Sequence, residues 1–485
     1  MAYGVSSLSS LNFYLSPNNH VITLEQKKVL AIIPDGVSLR NFLFTDFPKK
    51  AKQAGLEIVY WNATPYNIKA DGEKEIKLRP KPRAITDVYK RAKIISELNH
   101  FRDKFNDAVY EKYKFPASTE GWKNKLKNLI VSRLSDTYTG EKGLRVLRER
   151  MQNSERKSAY YKECIKVLKR EKPDLVFCAN QRPVNAIAPV RAAKDLGITT
   201  AGFIFSWDNL PKATKVIETD FYFVWSDHMK NELLRYYPYL KEEQVKITGT
   251  PQFEIHCKEE VLLEKEVFFK KYGLDTEKEY LCFSGDDLTT SPHDEVFLRD
   301  VAEAVRNLNR KGENLGIIFR RCPVDFSSRY DKVLKEYLDE ITAIDPEWSG
   351  GHNSWDAVMP TREDMILQTN IIEHSFMVIN IASSMVFDFA ARKKPCAYIN
   401  YVPEVNNLKK DVREIYDYIH FRSMENRASV YWINSKTGII EAIQHIFKGE
   451  TKVVLQNTLQ WFNIINLNLC EKASEQICDK IKSLR

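Results

Sequence analysis

The sequence predicts an α/β protein: two Rossmann-like domains facing each other across a cleft, with a basic helical insertion in the first. Three observations carry this. Short apolar runs such as "KVLAIIP" (28–34) and "DLVFCA" (174–179) alternate with stretches of helical periodicity, the pattern of β-α-β units whose strands are buried on both faces. A second series of the same kind starts at "EYLCFSG" (279–285), after "VKITGTPQFE" (245–254), where Gly249 and Pro251 interrupt regular structure. The chain has 485 residues, too many for one core when domains usually hold about 100 to 200.

The elements follow in order. "KVLAIIP" is the first strand, a helix is expected from about Leu39 to Gly55, and "LEIVYW" (56–61) is the second strand. From about 65 to 170 the pattern turns to Lys-rich helical segments, broken near "KFPAST" and "DTYTG", which is the insertion. The sheet pattern resumes at "DLVFCA", with a helix over 184–196, "TTAGFIF" (199–205), "DFYFVW" (220–225) and a helix up to Tyr239. The first domain is placed at 26–245 and the second at 254–450. The second contains "EYLCFSG", a helix over 293–310, "LGIIFRR" (315–321), a helix over 328–340, "MVINIA" (377–382), a helix over 384–393 and "CAYINY" (396–401). Helices from about 451 to 485 are expected to cross back to the first domain.

Composition narrows the classes. Hydrophobic residues make up 43% and charged residues 28%, enough to build cores and against wholesale disorder. The formal net charge is +8, and residues 121–170 hold fourteen Lys and Arg against five Asp and Glu. That local excess suits a solvated helical face, an anionic membrane surface or a lipid-linked phosphate, and no nucleic-acid-binding module accompanies it. The eight cysteines form no CxxC pair and read as reduced core residues. The first twenty residues lack the charged and apolar regions of a signal peptide, and the apolar stretch 371–391 is interrupted by polar residues, so the expected compartment is the cytoplasm.

The candidate chemistry lies at strand ends. In "MVINIASSMVFDFAARKKPCAYIN" (377–400), Ser383 and Ser384 stand between a strand and a helix, where free N–H groups and the helix dipole favour an anion. They read as a phosphate seat or, more plainly, as a helix cap. Asp388 could face a ribose hydroxyl or cap a loop. Arg320 and Arg321 in "FRRCPVD" end another strand at the same edge and suit a diphosphate, or else an ion pair with a neighbour such as Asp325. Gly285 and Asp286 in "SGDDLTTS" belong to a third strand-to-helix loop there.

In the first domain "IPDGVSLRNF" (33–42) follows strand one, making Asp35 the candidate general base, with Arg40 and Asn41 beside it. Asn180, Gln181 and Arg182 in "CANQRP", and Trp207, Asp208 and Asn209 in "FSWDNL", are candidates for the acceptor side, Asp208 being the second choice for the base. No His/Cys cluster has metal-ligand spacing, and no G-x-S-x-G, Walker loop or G-x-G-x-x-G follows strand one. Hydrolase and dinucleotide oxidoreductase chemistry are disfavoured, and neither a metal nor a cofactor is expected; Asp286 with Asp287 as an ion site is the weaker alternative.

At "SWDNL", "DFYFVWSDHMKNELLRYYP", "ITGTPQF" and "MVINIASSMVFDFAARKKP" the chain resembles bacterial surface-polysaccharide glycosyltransferases of the GT-B fold, over roughly 170–400. In the related CDP-glycerol and CMP-sugar transferases a His-Pro pair and a Ser-Ser or Ser-Thr pair hold the nucleotide phosphates. Ser383 and Ser384 match the second pair, whereas Cys322-Pro323 stands where the first would be His-Pro. Asp35-Gly36 is similar to an acidic-Gly motif that carries the base in some sialyltransferases, and the glycine-rich and GGxxEE-like segments of UDP-sugar epimerases are absent. The resemblance implies a metal-independent glycosyltransferase that moves a sugar from a nucleotide-sugar donor to a glycan or lipid-linked glycan acceptor. Two alternatives remain: a CDP-glycerol- or CDP-ribitol-type polyol-phosphate transferase, and a non-catalytic carbohydrate-binding or scaffolding homologue.

Overall fold

The computed structural model describes residues 26–114, 119–350, 358–467, 470 and 472–484. The first sheet has seven parallel strands: β1 (Lys27–Ile33), β2 (Leu56–Asn62), β3 (Lys74–Lys77), β4 (Leu175–Cys178), β5 (Thr199–Phe203), β6 (Phe221–Val224) and β7 (Val245–Ile247), in the order β3-β2-β1-β4-β5-β6-β7. Strand β1 pairs with β2 through Val29 opposite Ile58 and with β4 through Val29 opposite Leu175. Alternation along β1 divides its apolar side chains between two cores. Val29, Ala31 and Ile33 pack with Phe42, Phe177 and Phe203, while Leu30 and Ile32 pack with Met151, Leu168 and Val190. Helices on both faces explain why the strands read as unbroken apolar runs.

The helices of this half are α1 (Gly36–Phe42), α2 (Phe47–Gln53), α3 (Ala84–Phe105), α4 (Gly121–Thr137), α5 (Gly140–Glu155), α6 (Ala159–Glu171), α7 (Ile187–Asp195) and α8 (Asp227–Tyr236). The single helix expected from Leu39 to Gly55 is two, because Pro48 in the first turn of α2 cannot continue α1 and instead starts a new helix. The insertion contains α3 to α5, knit by Val88, Ala92, Val131 and Leu147 and by a buried Lys93–Glu97 ion pair at 2.7 Å. It is not purely helical, since β3 lies within it. That strand has the sequence KEIK and occupies the sheet edge, where charged side chains are tolerated and no apolar run marks it. The break expected near "KFPAST" falls largely outside the described residues, as does the amino-terminal stretch.

The second sheet has six parallel strands in the order β10-β9-β8-β13-β14-β15. They are β8 (Glu279–Ser284), β9 (Leu315–Arg320), β10 (Ile341–Ala343), β13 (Ser375–Asn380), β14 (Cys396–Ile399) and β15 (Tyr431–Ile433), while β11 (Ser349–Gly350) and β12 (Val358–Met359) form a separate antiparallel pair. Its helices are α9 (Lys265–Tyr272), α10 (Asp294–Asn309), α11 (Asp331–Glu336), α12 (Arg362–Glu373), α13 (Met385–Ala391) and α14 (Gly438–Phe447). The helix expected over 328–340 is only the short α11.

The last two helices, α15 (Lys452–Ile465) and α16 (Ala473–Ser483), lie against elements of the first half. Leu467 N donates to Trp225 O at 2.9 Å and Lys50 meets Glu475 at 2.9 Å, while at the join of the halves Ser474 donates to Glu254 through N at 2.8 Å and Oγ at 2.7 Å. Cys257 and Cys470 are joined by a disulfide across 213 residues of sequence. The expectation of eight reduced cysteines is thereby corrected for two; Cys164, Cys178, Cys282, Cys322, Cys396 and Cys478 are free. Among the described residues no helix is long and apolar enough to cross a membrane.

Candidate functional site

Each sheet reverses its strand order once, between β1 and β4 in the first and between β8 and β13 in the second. In doubly wound sheets the crevice at the carboxyl ends of the strands flanking such a reversal is where ligands bind. Asp35 and Asn180 flank the first reversal and Asp286, Ser383 and Ser384 the second, whereas Trp207, Asp208 and Asn209 follow β5 and Arg320 and Arg321 end β9.

At the first, Asp35 follows β1 and caps α1. Its Oδ1 accepts from Ser38 N at 3.0 Å and Ser38 Oγ at 2.7 Å, and its Oδ2 accepts from Asn180 Nδ2, which follows β4, at 2.5 Å. Asn180 is fixed in turn because its Oδ1 accepts from Arg182 N at 3.0 Å. Burial pushes the Asp35 carboxyl above its ordinary value, against the opposing pull of Ser38, Asn180 and the Arg182 guanidinium. Arg182 itself is exposed and lies over the Phe205 ring.

At the second reversal Ala382 turns the chain with φ +53°, a sparsely populated conformation for a residue with a Cβ. Ser383 N donates to Asn380 Oδ1 at 3.1 Å and Ser383 Oγ accepts from Met385 N at 3.3 Å, so Ser383 is the local cap. Ser384 is exposed and makes no capping bond of its own. Opposite, the β8 loop is braced: Asp286 N donates to Asp294 Oδ2 at 3.1 Å, and that carboxylate also accepts from Tyr330 Oη at 2.7 Å. Burial, then the neighbouring Asp287 and Asp294, push the Asp286 carboxyl well up. The space beside Gly285 is taken by Tyr330 and Phe319, since a Cβ there would lie 3.1 Å from Tyr330 Oη, so the glycine serves packing.

The first half, beside its reversal, touches the segment between β12 and α12 of the second. A Cβ on Gly36 would lie 2.8 Å from Pro360 Cδ and 3.1 Å from Met359 Sδ, which only glycine permits. Arg40 Nη2 donates to Gln252 Oε1 at 2.9 Å. Burial lowers the Arg40 guanidinium's pKa against the attraction of Asp388, Asp364 and Asp35, which places it within the field of carboxylates from both halves. Arg362 donates to Leu43 O at 3.4 Å and Phe44 O at 3.5 Å.

Several candidates have partners the sequence did not suggest. Arg320 is buried, and its Nη2 donates to both oxygens of Asp364 at 2.9 Å, rather than pairing with Asp325; its Nη1 is a buried donor left without a hydrogen-bond partner. Asp364 also accepts from Trp348 Nε1 at 2.6 Å and Glu347 N at 2.9 Å. Arg321 Nη1 donates to Ser327 O at 2.6 Å. Asp388 is buried, and its Oδ1 lies 2.8 Å from His256 Nε2, whose Nδ1 lies 2.9 Å from Thr369 Oγ1.

On the acceptor side, Gln181 and Asn209 are buried and bonded to each other at 2.8 Å, and Gln181 Oε1 accepts from Phe205 N at 3.1 Å. Asn41 is buried with Oδ1 accepting from Arg40 Nε at 3.2 Å. Trp207 packs edge-on against Phe387 at 5.3 Å, His420 at 4.7 Å and Trp461 at 5.9 Å, an aromatic joint between the halves. Asp208 accepts from Ser206 Oγ at 2.6 Å, Asn209 Nδ2 at 2.9 Å and Lys212 Nζ. Burial raises its pKa, but Lys212, His420 and Ser206 outweigh that and hold it far below the carboxylate range, which suits an anchor better than a proton acceptor. Asp364, His256 and Gln252 were missed: Gln252 lies within the "TGTPQF" motif (248–253), whereas Asp364 and His256 meet partners too distant in sequence to show any signal.

A cavity of about 490 Å³ lined by Leu43, Asp46, Lys49, Lys52, Glu73 and Arg362 contains none of the candidate residues. Among the described residues no group of three or more His, Cys, Asp or Glu could hold a metal ion.

Two doubly wound parallel sheets, each with one order reversal, define a protein of the GT-B type of fold. Solved structures agree. The chain is similar to a putative UDP-N-acetylglucosamine 2-epimerase from Listeria monocytogenes at 11% identity, covering 94% of this chain and 96% of that one with a TM-score of 0.55. It is also similar to another UDP-N-acetylglucosamine 2-epimerase, at 9% identity, 94% and 95% coverage and a TM-score of 0.52. WaaG, a glycosyltransferase involved in lipopolysaccharide biosynthesis, matches more loosely, at 10% identity, 94% and 100% coverage and a TM-score of 0.47. The two likenesses to epimerases are of fold alone. No protein-family profile matches the chain, and no curated protein is similar to it in sequence.

Proposed function

We propose that the protein binds a nucleotide sugar and transfers the sugar to a glycan or lipid-linked glycan acceptor without a metal. The observation that carries this is Asp35: a carboxylate beside a strand-order reversal, raised in pKa by burial, oriented by Asn180 and Ser38, at the contact between the halves. A general base is most effective when its pKa is drawn toward the working pH. In the proposed reaction Asp35 takes the acceptor hydroxyl proton, the acceptor oxygen bonds to the sugar's anomeric carbon, and the bond from that carbon to the diphosphate breaks. The nucleoside diphosphate leaves toward the loop of Ser383 and Ser384, where the Ser384 N–H and hydroxyl offer donors. On this reading residues 26–245 hold the acceptor and 254–450 the donor, in a protein of the cytoplasm or its membrane surface. The solved structures of like fold include proteins named for UDP-N-acetylglucosamine, which supports a nucleotide-sugar donor.

The test is a thermal-shift panel with CMP, CDP, UDP, GDP and dTDP, with and without magnesium, on the native chain and on Ser384→Ala and Asp35→Asn. Stabilisation by one nucleotide that Ser384→Ala loses and Asp35→Asn keeps is expected, together with loss of transfer in Asp35→Asn. Polyol-phosphate transfer from a CDP-polyol, or epimerisation of a UDP-sugar without acceptor, would overturn the sugar-transfer reading. No shift with any nucleotide would favour the scaffolding homologue, which Cys322, with its thiol pushed by burial up to about 12, also favours as the replacement for a phosphate-facing histidine.

A further inference from the structure

Thirteen large hydrophobic side chains are exposed among the described residues, and four of them, Trp122, Leu126, Leu129 and Ile130, fall within nine residues of α4. Their spacing of i, i+4, i+7 and i+8 puts them on one side of the helix. Trp122 is 71% exposed and Leu129 67%, so among the described residues nothing covers this face. The other side of α4 is apolar as well: Val131 is buried and Leu134 half-buried against Val88, Ala92 and Leu147. The helix therefore has two opposed apolar faces, one used to dock on α3 and one turned to solvent.

What borders the outer face decides its occupant. Lys123 and Lys125 lie on its two flanks and Arg133 continues its line one turn on, all three exposed, while Asp136 is the sole carboxylate in α4. Lys127 is engaged with Asp87. A second copy of the chain would bring like charges together. A folded acidic protein would satisfy the lysines without needing an exposed tryptophan beside leucines. An apolar stripe with a tryptophan at one end and cations along both flanks matches the boundary between the headgroups and acyl chains of an anionic bilayer, where the aromatic and aliphatic side chains enter and the lysines reach the phosphates.

We propose that α4 docks this protein on an anionic phospholipid surface, with Trp122, Leu126, Leu129 and Ile130 inserted and Lys123, Lys125 and Arg133 at the headgroups. The inference is independent of the transferase reading, since none of these residues belongs to the candidate site.

The test is co-sedimentation of the full chain with vesicles of pure phosphatidylcholine and of phosphatidylcholine containing phosphatidylglycerol. Binding at least about tenfold stronger to the anionic vesicles is expected. Trp122→Ala with Leu129→Ser should lower that binding about tenfold or more with no change in unfolding midpoint, because both side chains already contact water. Lys123→Glu with Lys125→Glu, which leaves the apolar face untouched, should abolish the preference for phosphatidylglycerol. Equal binding to both vesicle types, or anionic binding unaltered in both variants, overturns the proposal. So does a concentration-dependent dimer in sedimentation velocity that the Trp122 variant abolishes without any vesicle binding by the native chain.

Discussion

The Asn180 side-chain amide donates to Asp35 Oδ2 at 2.5 Å, tying the loop after β4 to the loop after β1. The bond spans the order reversal of the first sheet and opposes the upward push that burial exerts on Asp35. Removing it in Asn180→Ala should raise the Asp35 pKa further and move the acid limb of kcat/KM to higher pH. Asp35→Asn should lower kcat by about 10² to 10⁴. Because Asn caps a helix about as well as Asp but turns its Nδ2 toward the Asn180 donor, that variant should stay folded with a loss of about 1 to 3 kcal/mol, which separates catalysis from capping. An unshifted acid limb in Asn180→Ala would remove Asp35 from the base role.

The buried Arg320–Asp364 pair should be costly to halve. Asp364→Ala leaves the guanidinium without its counter-charge and strips Trp348 Nε1 and Glu347 N of an acceptor. A loss of about 3 to 5 kcal/mol is expected from urea unfolding. Asp364→Asn, which keeps an acceptor, should lose less, and a loss below about 1 kcal/mol in the alanine variant would show that water reaches Arg320.

Asp294 makes stability depend on pH. Burial lifts its carboxyl to about 6, from an ordinary 3.8. A folded-state pKa above the unfolded one means that the folded chain holds the proton more tightly, so this contribution is full below about pH 4 and is lost as pH rises through about 6. The amount is up to about 3 kcal/mol. Unfolding midpoints of Asp294→Asn should therefore fall less between acid and neutral pH than those of the native chain, and parallel curves would count against a raised Asp294.

The Cys257–Cys470 bridge should be visible by thiol counting: in denaturant without reductant six of the eight cysteines should react. Replacing both by serine should cost about 2 to 5 kcal/mol, since the closed loop is long. Eight reactive thiols in protein purified without reductant would refute the bridge.

How much of this was legible in the sequence follows from range. The parallel strands are legible because each is a contiguous apolar run, and Asp35, Ser383 and Ser384 because each directly follows one. β3 escaped notice, since an edge strand such as KEIK carries charges, and the break between α1 and α2 turns on the single Pro48. The outer face of α4 was hidden by its own symmetry: apolar residues on opposite sides cancel as periodicity, leaving only the lysines to read.

The sequence by itself determined the α/β class, the two series of units and the strand-end loops that carry the candidate chemistry, because these depend on neighbours a few residues apart. Only the tertiary structure decided which polar side chains are occupied. Arg320 meets Asp364 across 44 residues, Asp388 meets His256 across 132, and Cys257 meets Cys470 across 213. Such pairs form because packing the two sheets buries groups that must then be paired, and burial is a property of the whole fold rather than of any local stretch.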